Sequence, residues 1–257
     1  MVDRYNLMEL MVCVASRQLE DGKTAVIGTG MPLAAAMLAQ KTRCPNLITM
    51  FEAGSIAPQL TKLPLSVADS FTMTNALMLS SMDEIMTACQ RGMVDYTFLG
   101  GAQIDMYGNL NSTMVGSDLQ KPKVRLPGSG GANDLASLCW KTLIITPHDK
   151  RRFVAKVDFL TTPGYLSGPG TREAAGLPPN TGPYKVISTL ALMGYDAVTK
   201  RMQVESLHPG VTAEDIRNNT GFEILFADDL SVTSEPTDEE LQILRTQVDP
   251  LGLIIGK

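Results

Sequence analysis

Two histidines and four cysteines are all that this 257-residue chain contains, and each scarcity closes off a class of chemistry. His148 and His208 are too few and too far apart in sequence for a metal site, and no GxSxG turn accompanies them to complete a serine triad. Cys13, Cys44, Cys89 and Cys139 are spread evenly with no CxxC pair, so neither a zinc site nor a disulfide framework is expected, and they read as buried thiols. Basic runs are short, none exceeding residues 150–152. With a net charge of -5 and a pI near 5.1, nucleic acid is not an expected partner. Nor does the N-terminal stretch hold an apolar block as long as a signal peptide or membrane span requires, so a cytoplasmic protein with no membrane partner is expected. No internal repeat and no low-complexity segment divides the sequence. Residues 1–257 therefore read as a single domain with a C-terminal elaboration.

What is present is organised around LITMFEAGSIAP, residues 47–58. Residues 47–51 form a short apolar run of the kind that fills a buried parallel strand, and Glu52 stands at its carboxyl end. Ligands of open α/β sheets bind at that edge, and Gly54 lets a backbone or a ligand approach without a Cβ in the way. The strand end alone leaves two readings of Glu52, a reacting carboxylate or a solvated cap. Upstream, apolar residues at helical spacing (Leu7, Leu10, Met11, Val14, Ala15) predict a helix over residues 3–19. A strand over residues 24–27 then runs through Gly28-Thr29-Gly30 into a helix with Pro32 as its first residue. Such a turn suits an anion at the helix N-terminus, or simply lets the strand turn tightly.

Further along, a helix is predicted over residues 82–91 and a buried strand over 94–99. GGAQIDMYGNLNSTMVG, residues 100–116, follows, with Gly108-Asn109 as a tight turn between two extended pieces. PGSGGAND, residues 127–134, precedes a short helix and reads either as a nest of amide groups or as a surface loop. Strands are predicted over residues 141–146 and 153–159, with a basic turn at 148–152 between them, and a long ordered loop over the glycine- and proline-rich residues 161–183. A hairpin of residues 185–192 with 201–207, a helix capped by Thr212 and Asp215, and a last helix over 236–247 complete the reading.

Taken together, FEAGSIAP (51–58), GGAQIDMYGNLNSTMVG (100–116) and PGSGGAND (127–134) resemble the β subunits of family I CoA-transferases, glutaconate CoA-transferase among them. HDKRRF (148–153), GLPPNTGP (176–183) and NNTGFE (218–223) extend the resemblance over nearly the whole chain. One position departs from the pattern: Ala53 follows the glutamate, where such proteins often have serine or asparagine. The resemblance implies an α/β fold, an open and mainly parallel sheet with helices on both faces. It implies transfer of coenzyme A between an acyl-CoA and a free carboxylic acid, a short dicarboxylate such as glutaconate, with Glu52 as nucleophile. Asn111, Gly130 and Gly131 are implied as oxyanion stabilisers, and Gly28, Gly30, Gly54, Gly101, Gln103, Asn109 and Gly128 as lining the substrate and CoA site. It also implies a partner, the α subunit, in an α2β2 or larger assembly, and no bound cofactor beyond acyl-CoA as substrate. A decarboxylase or hydrolase on the same scaffold, and a non-catalytic supporting subunit, are the alternatives.

Overall fold

The computed structural model describes residues 4–64, 66 and 69–256. Where the sequence suggests a single domain, the contacts sort the chain into two compact units, residues 1–98 with 234–257, and residues 99–233.

In the first unit, the helix expected over residues 3–19 is α1 (Leu7–Ser16), and its expected first residue, Asp3, lies outside the described residues. Asn6 starts it later because the Asn6 side chain accepts from the Glu9 amide while the Glu9 carboxylate accepts from the Asn6 amide, a capping box. Next come β1 (Thr24–Val26), α2 (Met31–Lys41) and β2 (Ile48–Met50), with β1 and β2 parallel and Val26 beside Met50. Pro32 is the second residue of α2, not the first, and its missing N–H still falls in the first turn, where amides have no acceptor within the helix. The chain then reverses into β3 (Ser55–Ile56), antiparallel to β2, and β4 (Met78–Leu79) pairs with β3 at the edge of the sheet. Helix α3 (Met82–Gln90) leads to β5 (Tyr96–Leu99), parallel to β1 on its other side. Since β1, β2 and β5 run in one direction, residues 27–30 and 51–54 leave the sheet at the same carboxyl edge.

The second unit begins with the hairpin of β6 (Gln103–Ile104) and β7 (Leu110–Asn111), turned at Gly108-Asn109 as the sequence suggests. A second hairpin pairs β8 (Met114–Val115) with β9 (Val124–Arg125), and α4 (Ala132–Leu138) and β10 (Lys141–Thr146) follow. The strand expected over 153–159 is absent, leaving an isolated bridge between Phe153 and Ile104. Its start is taken by a turn instead, since the Arg152 and Phe153 amides both donate to the Asp149 carbonyl, at 3.0 and 2.9 Å. Residues 161–183 are ordered with little regular structure, as expected, apart from one helical turn, α5 (Thr171–Ala174), and entry into β11 (Gly182–Ser188). The stretch 185–192 is not one strand. The Ser188 hydroxyl accepts from the Leu190 and Ala191 amides and closes a turn into β12 (Ala191–Tyr195), which pairs antiparallel with β13 (Met202–Leu207). After α6 (Ala213–Asn219), capped by Thr212 and Asp215 as predicted, comes β14 (Leu225–Val232), parallel to β13 and without a signal in the sequence. Asp228 and Asp229 stand in its middle, exposed at a sheet edge, so apolar alternation is missing from the sequence.

The last helix, α7 (Asp238–Ile243) continued by a π turn over Leu244–Val248, belongs to the first unit. Two ion pairs hold it on α1 and the residues after it: Arg17 with Glu240 at 2.6 Å and Arg245 with Glu9 at 2.5 Å.

Candidate functional site

Glu52 sits in the tight reversal between β2 and β3, two residues beyond the carboxyl end of β2. The turn is closed on both sides: the Gly54 amide donates to the Phe51 carbonyl and the Phe51 amide to the Ser55 carbonyl, both at 2.9 Å. Phe51 points inward and is fully buried, which leaves the next side chain, Glu52, to face out at the sheet edge, half-buried. Among the described residues its carboxylate makes no hydrogen bond and no ion pair. Gly54 adopts φ +112°, and a Cβ there would press into the Ser80 carbonyl, whose own amide donates to the Gly54 carbonyl at 2.8 Å. The close approach that the sequence suggests at Gly54 is thus made by backbone. Gly28 and Gly30 lie in the β1–α2 turn at the same edge, where a Cβ on either would meet open space, and Gly30 takes φ +80° as the N-cap of α2.

The remaining expected site residues lie in the second unit, where the second glycine cluster carries three adjacent amides, those of Ser129, Gly130 and Gly131, that have no acceptor among the described residues. The base of this loop is fixed by a reciprocal pair: the Gly128 amide donates to the Ser112 carbonyl and the Ser112 hydroxyl to the Gly128 carbonyl, each at 2.8 Å. Gly128 at φ +100° and Gly130 at φ +51° need glycine for conformation, while Gly131 at φ -82° does not.

Asn111 is bonded on both sides of its amide. It is fully buried, and its Nδ2 donates to Gln103 Oε1 at 2.7 Å and to the Met114 carbonyl at 2.6 Å. Its Oδ1 accepts from the Thr113 amide at 3.0 Å and the Met114 amide at 3.3 Å. With both hydrogens engaged, the side chain supports the turn that carries Ser112. Asn109 is likewise committed: Nδ2 donates to Asp105 and to the Leu166 carbonyl, both at 2.8 Å, and Oδ1 accepts from the Gly164 and Leu166 amides. Gln103 joins Asn111 to Asp158, whose amide donates to Gln103 Oε1 at 2.9 Å, and Gly101 packs against the Asn111 and Gln103 carbonyls. These residues hold the loops in place.

Arg172 is a structural residue that sequence reasoning missed, since a lone arginine in a glycine-rich loop gives no periodic signal. It is buried to 1% exposure. Its guanidinium donates to the carbonyls of Ala136, Ser137, Pro163 and Gly164 and to the Thr181 hydroxyl, at 2.6 to 3.2 Å. It thereby joins the carboxyl end of α4 to two loops, and Gly131 is the N-cap of α4. A cavity of about 470 Å³ in this unit is lined by Asp105, Tyr107, Lys156, Asp158 and Leu160, and burial pushes the Asp105 carboxyl above its ordinary pKa despite donation from Asn109 and Tyr107.

Both histidines are packing groups. His148 stacks on Phe153 at 3.7 Å between ring centres and lies between the Ser188 and Thr220 hydroxyls, and burial lowers its pKa to about 4. Gly221 donates to the Phe153 carbonyl at 2.7 Å, so two segments of the resemblance, 148–153 and 218–223, are packed on each other. The four cysteines are buried and form no disulfide, and burial pushes the Cys13 thiol up to about 12. Among the described residues no group of His, Cys, Asp and Glu could hold a metal, and no helix is long and apolar enough to cross a membrane.

Residues 9–219 match the family described as Coenzyme A transferase. The chain belongs to the coenzyme A transferase family. It is 40% identical over 242 residues to the B subunit of the 3-oxoadipate CoA-transferase of Pseudomonas knackmussii, covering 94% of this chain and 92% of that one. To the B subunit of the glutaconate CoA-transferase of Acidaminococcus fermentans it is 34% identical over 257 residues, covering 96% and 93%. The solved structure of that glutaconate enzyme superposes with a TM-score of 0.94 over 99% of this chain and 98% of that one. A decarboxylase, AibA/AibB, shares the fold at 26% identity and a TM-score of 0.83, covering 98% and 99%. The chain is a CoA-transferase, and for that class coenzyme A is a substrate.

Proposed function

We propose that this chain moves coenzyme A from an acyl-CoA to a free carboxylic acid through a thioester on Glu52. The observation that carries the reading is the Glu52 turn: a half-buried carboxylate at the sheet's carboxyl edge, on a closed reversal, with no protein partner among the described residues. In the first step a Glu52 oxygen attacks the thioester carbonyl, and collapse expels CoA thiolate and leaves an acyl–glutamyl anhydride. The thiolate then attacks the glutamyl carbonyl, the C–O bond breaks, and the first acid departs as carboxylate. The second acid attacks the resulting glutamyl–CoA thioester and the same two steps run in reverse, returning Glu52 as carboxylate. Each addition places charge on a carbonyl oxygen. Amides without an acceptor among the described residues, as those of Ser129, Gly130 and Gly131 are, can serve such an oxygen, each such donor being worth about 3 to 4 kcal/mol in the transition state. Asn111, Gln103, Asn109 and Ser112 serve by fixing the loops, and Gly28, Gly30 and Gly54 by shaping the edge beside Glu52.

The anhydride is destroyed by water, so the site must be closed around the substrate. The partner is an α subunit, in an α2β2 or larger complex, as the names of the relatives, each a B subunit, support. A short dicarboxylate, glutaconate or 3-oxoadipate, is the acid that those names favour. Assaying the assembled enzyme against a panel of acyl-CoA donors and free acids tests this. CoA exchange between dicarboxylates is expected, whereas hydrolysis of the acyl-CoA without transfer would overturn the proposal and decarboxylation would replace it by the chemistry named for AibA/AibB.

A further inference from the structure

The glycine loop of the second unit is anchored at both ends, and both anchors rest on one short segment, residues 161–164. At its entry Gly128 is bonded through its amide and its carbonyl to Ser112, and the Ser112 amide donates in turn to the Thr161 hydroxyl at 2.9 Å. At its exit the loop runs straight into α4. The Ala132 amide donates to the Ser129 carbonyl at 2.9 Å and the Leu135 amide to the Gly131 carbonyl at 3.0 Å. Helix α4 has seven residues, a rod of about 10 Å, so a shift at its carboxyl end is passed on to Gly131. Arg172 holds that carboxyl end: its Nη2 donates to the Ala136 and Ser137 carbonyls at 2.6 and 3.1 Å. These carbonyls stand in the last turn, where the helix offers them no amide and its dipole favours a cation. The other side of the guanidinium reaches the segment that carries Thr161, with Nη1 donating to the Pro163 and Gly164 carbonyls at 3.1 and 3.0 Å. That segment is itself pinned. Thr162 and Leu110 exchange backbone hydrogen bonds, the Gly164 amide donates to Asn109 Oδ1 at 2.8 Å, and a Cβ on Gly164 would run into the Tyr107 carbonyl and the Asn109 amide. Thr181 sets the direction of the guanidinium by accepting from Nε at 3.2 Å and from Nη2 at 3.1 Å.

We infer that Arg172 is a positioning residue for CoA transfer: by fixing α4 against residues 163–164 it sets where the amides of Ser129, Gly130 and Gly131 lie. The inference rests on the proposed use of those amides at the developing oxyanion and adds what holds them in place. Arg172 acts through α4, being itself buried. Its contribution falls on the transition state, because donors aimed at the oxyanion do little for the bound thioester before charge develops.

The test is steady-state kinetics and hydrogen exchange on the assembled enzyme carrying Arg172→Lys or Thr181→Val. Val204→Ala, at a fully buried position on β13, is the control for lost stability alone. Arg172→Lys keeps the charge but has one nitrogen where the guanidinium bridges helix and segment with two. With the loop displaced by about 1 Å, its kcat should fall at least about 10-fold while KM for acyl-CoA stays within about 2-fold of wild type. Thr181→Val keeps the guanidinium and removes its guide, so it should show the same split to a smaller extent. It carries the test where the lysine variant does not fold. In both variants the amides of Ala132 and Leu135 should exchange faster, whereas Val204→Ala should keep the wild-type kcat per folded enzyme whatever its thermal midpoint. Wild-type kcat in the folded variants, a fall confined to KM, or an equal loss of kcat in Val204→Ala overturns the inference. Looking for the Glu52 adduct in the same preparations separates this inference from the chemistry beneath it. A wild type without adduct, beside variants that show the split, contradicts the proposed thioester and leaves the role of Arg172 standing; an adduct beside variants of undiminished kcat contradicts the role of Arg172 alone.

Discussion

Replacing Arg172 by methionine tests how the second unit is held together. The guanidinium serves four backbone carbonyls and the Thr181 hydroxyl in a place with 1% exposure. Methionine fills comparable volume but supplies no donor, and the four carbonyls cannot be removed with it. Each buried acceptor left without a partner costs about 1 to 3 kcal/mol. Against this stands the relief of a buried charge, whose desolvation is the largest influence on Arg172 and lowers its pKa. Taking the lower figure for each carbonyl gives a loss of roughly 4 kcal/mol, a large share of the about 5 to 15 kcal/mol by which folded domains are stable. In urea unfolding followed by tyrosine and tryptophan fluorescence, the midpoint should fall by roughly 1 to 2 M with an unchanged slope. Arg172→Lys, keeping the charge but with one nitrogen for five acceptors, should lie between. A midpoint within about 0.3 M of wild type for the methionine variant would refute the reasoning, showing that the carbonyls find other donors and that the buried cation is dispensable.

Asn111→Asp should be destabilised by about 2 to 4 kcal/mol, because a carboxylate oxygen would face the Gln103 and Met114 oxygens that Nδ2 now serves; full stability with lowered kcat would instead restore Asn111 as a direct oxyanion donor. Gly54→Ala, at φ +112° and against the Ser80 carbonyl, should lower kcat and the thermal midpoint together, while Gly28→Ala, with open space around it, should leave the midpoint within about 2 °C. His148 should resist protonation: its folded pKa of about 4 lies below the ordinary 6.5, so the unfolded chain binds the proton first. Stability from this group is complete above pH 6.5 and falls by about 3 kcal/mol as pH drops to about 4, and NMR titration of its ring near 6.5 would contradict that.

The first unit is largely legible in the sequence because its elements announce themselves locally. The apolar run before Glu52 and the GTG turn before α2 each pair a regular stretch with a punctuating residue. The second unit is harder. Its order comes from buried polar groups whose partners lie far apart in sequence, Asn109 with Leu166 and Arg172 with Ala136, and no local pattern encodes such bonds. The resemblance implies Asn109 and Asn111 as site residues. Their side-chain chemistry suits an anion, but in the fold their donors are already engaged. Residues 153–159 mislead for a different reason: they read as a strand, and the Asp149 turn captures the Phe153 amide that would begin it. The exposed β14 carries no apolar alternation to be read.

The central claim is that Glu52 becomes covalently joined to coenzyme A, and intact-mass and peptide mapping of the assembled enzyme after incubation with acyl-CoA and no acceptor acid tests it most directly. The account predicts a CoA adduct on the peptide containing Phe51 and Glu52, reducible by borohydride. Glu52→Ala should abolish both the adduct and transfer. Glu52→Asp, with its carboxylate withdrawn by about 1.5 Å, should be impaired at least about 100-fold. An alanine variant that still transfers CoA, or an adduct that maps to Glu84 or Glu173, would contradict it.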